Sequence, residues 1–233
     1  MTAIFHSKRT LYLASASPRR IAFLRALGLP VQVLIPPAHC EPLPRPGEKP
    51  EEFAPRAALS KARGVLPLLA EGPQAPRPLL IAADTVVVSQ DRILGKPADP
   101  EEALAMLRDL AGTWHSVITG CALLAPGQAD EPDLVPAPAQ SFAQPAPHQA
   151  HIFAVHSRVR MWDCPEDILR VYAQSREPLD KAGAYAVQGA GAFLIRSLEG
   201  SWSNVVGLPL AELMQALLAI DAVGPVPDIP VLQ

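Results

Sequence analysis

LLIAADTVVV, residues 79–88, decides the fold. It is apolar nearly throughout, which marks a buried central strand, and it is interrupted only by Asp84 and Thr85. A carboxylate inside such a run costs several kcal/mol unless it is paired or metal-bound. Asp84 is therefore read as a metal ligand or general base, the alternative being a buried aspartate that caps a loop.

Downstream, SQDR at 89–92 predicts a hairpin turn, and Ile93–Leu94 begin a short return strand. The GKP at 95–97 follows, with Lys96 held between Gly and Pro on a restricted backbone that can aim it. In DPEEALAMLRDLAG, Asp99 is read as a cap, Pro100 as the first helical position and Glu102 as the capping-box acid. Ala103, Leu104, Met106, Leu107 and Leu110 would form the buried stripe of that helix. Strands are predicted at 114–124 and 151–162, and a helix from Pro165 to about Gln174. Glycines in DKAGAYAVQGAGAFLIRSLEG, 180–200, predict tight turns around a strand, and the segment carries Lys181 and Gln188. Asn204 is read as standing before a helix start, Leu208–Ile220 as the last helix, and 222–233 as a flexible tail.

Upstream, residues 51–70 read as largely helical and carry Lys61, with Pro67 ending or kinking the pattern. Residues 31–35 are a strand. LASASPRR, 13–20, closes a strand at 10–16 and opens a helix. Ser17 is the expected side-chain cap and Pro18 the first helical residue. A helix start presents free N–H groups and partial positive charge. Arg19 and Arg20 add planar donors suited to phosphate, and Ser15 a hydroxyl; solvated charge at a helix start is the competing explanation.

The 233 residues suffice for one large domain or two small ones, and they are read as one α/β domain with a mixed sheet, possible in two lobes. A net charge of −3 argues against binding nucleic acid. No run of about 18 apolar residues suggests a membrane span, and MTAIFHSKRT lacks the apolar core of a signal peptide, so a cytoplasmic location is expected. Neither the six histidines nor Cys40, Cys121 and Cys164 show metal-ligand spacing. The Pro/Ala-rich stretch 126–150 reads as a surface insertion. A buried carboxylate with several aimed cations fits hydrolysis of a nucleotide's phosphate chain, and the lack of a P-loop excludes an ordinary P-loop ATPase.

From about Leu11 to Ile220 the chain resembles the Maf family of nucleoside triphosphate pyrophosphatases. The resemblance rests on LASASPRR, LSKA, AADTVVV, ILGKPADPEEALAMLRDLAGTWHSVITG, EPLDKAGAYAVQG and NVVGLPL, in order. It implies an α/β fold like that of inosine triphosphatases, with an elongated mixed sheet flanked by helices and two lobes around a cleft. It implies hydrolysis at the α–β phosphate bond, giving a nucleoside monophosphate and pyrophosphate, as house-cleaning of the nucleotide pool. A divalent cation, Mg²⁺ or Mn²⁺, is implied as cofactor, and a homodimer is left open. Asp84 takes the catalytic position and, with Glu41, the metal position. Ser15, Arg19, Arg20, Lys61, Lys96 and Lys181 fall on substrate and phosphate positions, and Arg19, Thr85 and Gln188 on specificity positions. Arg19 points to the dTTP/UTP branch, since a branch preferring 7-methyl-GTP has tryptophan there, suited to stacking on a cationic purine. The alternatives are that 7-methyl-GTP pyrophosphatase activity and a nucleotide-binding regulator of septum formation with little hydrolysis. The chain departs from the family pattern at Cys40, where an acid is frequent, at Ala186 and Val187, and in the 126–150 insertion.

Overall fold

The computed structural model describes residues 3–69, 78–126 and 150–227. Of the Pro/Ala-rich stretch, 127–149 lie outside the described residues, as do 228–233 of the tail. In chain order the strands are β1 (Phe5–Ser7), β2 (Leu11–Ala14), β3 (Val31–Leu34), β4 (Leu79–Ser89), β5 (Arg92–Leu94), β6 (Trp114–Leu124), β7 (His151–Met161), β8 (Ile195–Glu199) and β9 (Val223–Pro225). The helices are α1 (Pro18–Ala26), α2 (Pro50–Val65), α3 (Pro100–Leu110), α4 (Glu166–Ala173), α5 (Trp202–Val206) and α6 (Leu210–Ala219). The main sheet has strand order β3-β2-β4-β6-β7-β8, with β5 paired to β4. It is mixed: β2 runs parallel to β3 and β4, while β4–β5 and β7–β8 are antiparallel.

The described residues fall into two compact units: Met1–Asp84 with Gly120–Ala154 and Leu210–Gln233, and Thr85–Thr119 with Val155–Pro209. The first is a βαβ arrangement, in which β2, α1 and β3 are followed by α2 and β4. Its core joins Ala58, Leu59, Ala62 and Val65 of α2 to Leu80 and Ala82 of β4 and to Ala122 and Leu124. Gly120 makes that packing possible, because a Cβ there would overlap the Ala54–Pro55 backbone of α2. Pro55, inside the helix, has no N–H to satisfy at that close approach. The second unit packs Leu104, Leu107 and Leu110 of α3 and Leu169 and Tyr172 of α4 against Val117, Val159 and Met161.

Several local expectations are met. Gln90 and Asp91 both have positive φ, as a two-residue hairpin turn between β4 and β5 requires. The Asp99 carboxylate accepts the Glu102 N–H at 2.8 Å, capping α3. Others are corrected. Glu102 accepts the Ala98 N–H, not the cap residue's own. Ser17 occupies the N-cap of α1 but makes no side-chain cap bond; its N–H donates to Ser15 Oγ at 3.2 Å instead. Asn204 lies within α5, fully buried, and Ser201 caps that helix. The tail does not fray at 222: Ala222 and Val223 are buried, and β9 pairs antiparallel with β1. The apolar Ala222–Val223 pair stabilises that strand by leaving water.

Candidate active site

In the first unit, the site begins where β2 ends. Ala14 of β2 and Ala82 of β4 are parallel partners, so β2 ends at Ser15 beside the middle of β4, where Asp84 stands two residues beyond the last paired position. Strand order reverses at β2, which has β3 on one side and β4 on the other. Ligand crevices of open α/β sheets form at such a reversal. The α1 helix starts there, behind Ser15.

Arg20, one turn into α1, is buried. Its guanidinium donates to the Ala83 carbonyl at 2.7 Å and to Ser15 Oγ at 3.1 Å. Burial lowers its pKa, opposed chiefly by the Asp84 charge, which raises it. Arg19 beside it is half-buried. From the other side, α2 brings Lys61, whose Nζ lies 2.6 Å from Asp84 Oδ1 and 3.1 Å from Glu41 Oε1. The Lys61 and Asp84 side chains are only 14% and 16% exposed, whereas Glu41 is 59% exposed. The structure thus brings together five of the expected residues, Ser15, Arg20, Lys61, Asp84 and Glu41, as two carboxylates among buried or half-buried cations.

Glu41 is held by its flanks. Cys40 is buried, and its Sγ fills the place a Cβ on Gly64 of α2 would take. The residue standing where an acid is frequent is therefore packed onto the helix as a small hydrophobe. On the other flank Glu48 receives two bonds from Arg56 of α2, at 2.5 and 2.6 Å, and Arg56 also donates to the Leu43 carbonyl. The Arg56 bond holds the Glu48 carboxyl below its ordinary range.

The second unit holds the remaining expected residues. Lys96 is exposed, just beyond β5. Lys181 Nζ donates to the Glu177 carbonyl at 2.7 Å and pairs with Asp180. The segments bearing these two lysines are joined by a bond from Gly183 N–H to the Gly95 carbonyl, and Gly183 has φ +69°. Gln188 is half-buried, ahead of the turn Gly189–Leu194. Side chains alternate along β4, so Thr85 leaves the strand on the face opposite to Asp84. Its hydroxyl lies 3.0 Å from Thr119 Oγ1. Thr119 spends its one proton on the Asn204 carbonyl at 2.9 Å, so Thr85 is the donor to Thr119. Asn204 in turn donates to the Val117 carbonyl and to Ser157 Oγ.

Sequence reasoning missed Gly120, the Glu48–Arg56 pair, Thr119 and Ser157. A glycine inside the apolar run VITGCALL was a usable signal of close backbone approach. Hydroxyls in strands carry no such signal, because threonine is an ordinary strand former. Among the described residues no group of three or more His, Cys, Asp or Glu side chains is placed to hold a metal ion, and no helix is long and apolar enough to cross a membrane.

A carboxylate and cations gathered at a strand-order reversal mark a ligand crevice of the open α/β class. The match to known proteins narrows this. The model of the Maf-like protein family matches residues 10–220, and the chain belongs to that family. It is 45% identical to the dTTP/UTP pyrophosphatase of Nitratidesulfovibrio vulgaris, covering 95% of this chain and 93% of that protein. It is 42% identical to that of Oleidesulfovibrio alaskensis, covering 91% and 86%. A solved nucleoside-triphosphatase / dITP/XTP pyrophosphatase from Mycobacterium abscessus is similar at 14% identity and a TM-score of 0.36, over 91% of this chain and 98% of that one.

Proposed function

We propose that this protein is a nucleoside triphosphate pyrophosphatase that cleaves dTTP and UTP between the α and β phosphates. The observation that carries the reading is Asp84: a carboxylate inside an apolar strand, paired with Lys61 at 2.6 Å and in the field of buried Arg20. In this reading Asp84 takes a proton from water as the water oxygen bonds phosphorus. The bridging P–O bond breaks, and pyrophosphate leaves with its electron pair. Arg19, Arg20 and Lys61 neutralise charge on the phosphate oxygens, as aimed cations do most effectively where water is scarce, and Ser15 adds a neutral hydroxyl. The start of α1 adds its dipole.

The donor set fits a hard divalent cation. The carboxylates of Asp84 and Glu41 converge on one ammonium, and carboxylate oxygens are what Mg²⁺ and Mn²⁺ prefer. Mg²⁺ is commonly held by one or two carboxylates with the substrate's phosphates, which a two-carboxylate set suits. When bound, such a cation supplies charge neutralisation and a more acidic water. Lys96 and Lys181 are assigned to phosphate, and Gln188, Arg19 and Thr85 to selection of the nucleotide. A cytoplasmic nucleotide pool is the setting this activity requires.

The test is product analysis. Purified protein with Mg²⁺ is given dTTP, UTP, CTP, 7-methyl-GTP and dATP. The expected result is pyrophosphate with monophosphate from dTTP and UTP; single phosphate, or preference for 7-methyl-GTP, would contradict it. Nucleotide bound without turnover would favour the regulator.

A further inference from the structure

The Lys61 ammonium is placed as a cation among anions. Its Nζ lies 3.1 Å from one oxygen of Glu41 and 2.6 Å from one oxygen of Asp84, so one ammonium bridges both carboxylates. The side chain is largely buried, so bulk counterions neutralise this pair poorly. Nor is the arrangement loose. The backbone beside Glu41 is packed through Cys40 against Gly64 of α2, and Asp84 belongs to a central strand. Lysine differs from both: its charge rides on a flexible four-carbon stem.

Two carboxylates sharing one ammonium on a flexible stem define an exchange. We propose that Lys61 and the divalent cation compete for the same oxygens of Asp84 and Glu41, and that arrival of the cation drives the Lys61 ammonium off them and onto the substrate's phosphate oxygens. The inference rests on the reading of Asp84 and Glu41 as the cation site. Charge dictates the direction. A dication balances two carboxylates fully, whereas an ammonium left beside it would be repelled. The freed ammonium meets its next anion in a triphosphate. Lys61 thereby plays two opposed parts: it weakens cation binding to the protein without nucleotide, and it strengthens the hold on phosphate once the cation is in.

That opposition sets the test. Mn²⁺ binding to nucleotide-free protein is followed by electron paramagnetic resonance, beside pyrophosphate release from UTP. For Lys61→Met, which keeps the stem and removes the charge, Mn²⁺ should bind about tenfold tighter or more while kcat/KM for UTP falls at least tenfold. Adding Glu41→Gln should cancel the gain in Mn²⁺ affinity. Lys61→Arg should bind Mn²⁺ as the wild type does. Lys61→Met binding Mn²⁺ no tighter than a wild type that does bind it would overturn the exchange and leave the cation site standing. No Mn²⁺ binding by either protein would overturn both. Should Lys61→Met fail to fold, the wild type still decides: the ¹⁵N-lysine ammonium signal of Lys61 must shift when Mg²⁺ is added, and an unchanged signal would refute the exchange.

Discussion

Two polar groups of residues, one in each unit, make an instructive pair. In the first unit Asp84, Lys61 and Glu41 are charged, partly open to solvent, and held by ion pairs that an incoming ligand could replace, beside the buried guanidinium of Arg20. In the second, Thr119, Asn204, Ser157 and Ser201 are neutral, and Thr119, Asn204 and Ser157 are wholly buried. Every proton in that second group that can be traced has an acceptor inside the protein. A buried polar group kept for architecture ends with its donors satisfied. One kept for chemistry ends on partners that can be exchanged.

The contrast predicts that damage to the second group is paid in stability. Asn204→Ala removes two donors and takes one hydrogen bond each from the Val117 carbonyl and the buried Ser157 Oγ. The expected loss is about 3–4 kcal/mol, read by denaturant melts, with kcat for the folded fraction within a few-fold of wild type. A kcat loss matching that of a site variant would erase the distinction.

His115 sharpens it further. Its Nε2 lies 2.8 Å from the Tyr185 hydroxyl, and burial lowers its pKa to about 4. The folded pKa lies below the unfolded one, so the folded state resists protonation. The resulting stability is complete above about pH 6.5 and is lost as pH falls toward 4. The loss over that window is about 3 kcal/mol, and His115→Gln should flatten the slope of melting temperature against pH there. An unaltered slope would show that His115 is protonated as readily in the folded protein.

The smallest effect belongs to the loop that carries Glu41. Glu48 has a depressed folded pKa because of its Arg56 bonds, so its contribution is full above the ordinary carboxylate range and disappears as pH falls through the folded value. Glu48→Gln should cost about 2 kcal/mol at pH 7 and progressively less below about pH 4, by melts across pH. It should also weaken Mn²⁺ binding, linking the loop to the charged group; unchanged binding would separate them.

What could be read from residues alone follows the same division. Asp84 stood out because a charge interrupting LLIAADTVVV demands a reason. The α3 start was legible because Asp99, Pro100 and Glu102 act over three or four residues. Asn204 was misread because a local pattern suggested a cap, while its real partners, Val117 and Ser157, come from strands far away in sequence. Ser15 and Ser17 exchanged roles for a similar reason: the long-range guanidinium of Arg20 and the Ser17 N–H both settle on Ser15 Oγ. The order of 222–225 likewise depends on pairing with Phe5–Ser7 at the other end of the chain. Local chemistry announces itself in sequence; partners brought from afar do not.

The most direct test is Asp84→Asn, measuring pyrophosphate released from UTP alongside nucleotide affinity and melting temperature. The isosteric amide keeps the shape but cannot take a proton from water. The expected result is a fall in kcat of about 10²–10⁴-fold, with UTP still bound and the melting temperature no lower than wild type by more than a few degrees. Undiminished pyrophosphate release from Asp84→Asn would contradict the assignment of Asp84 and the account built on it.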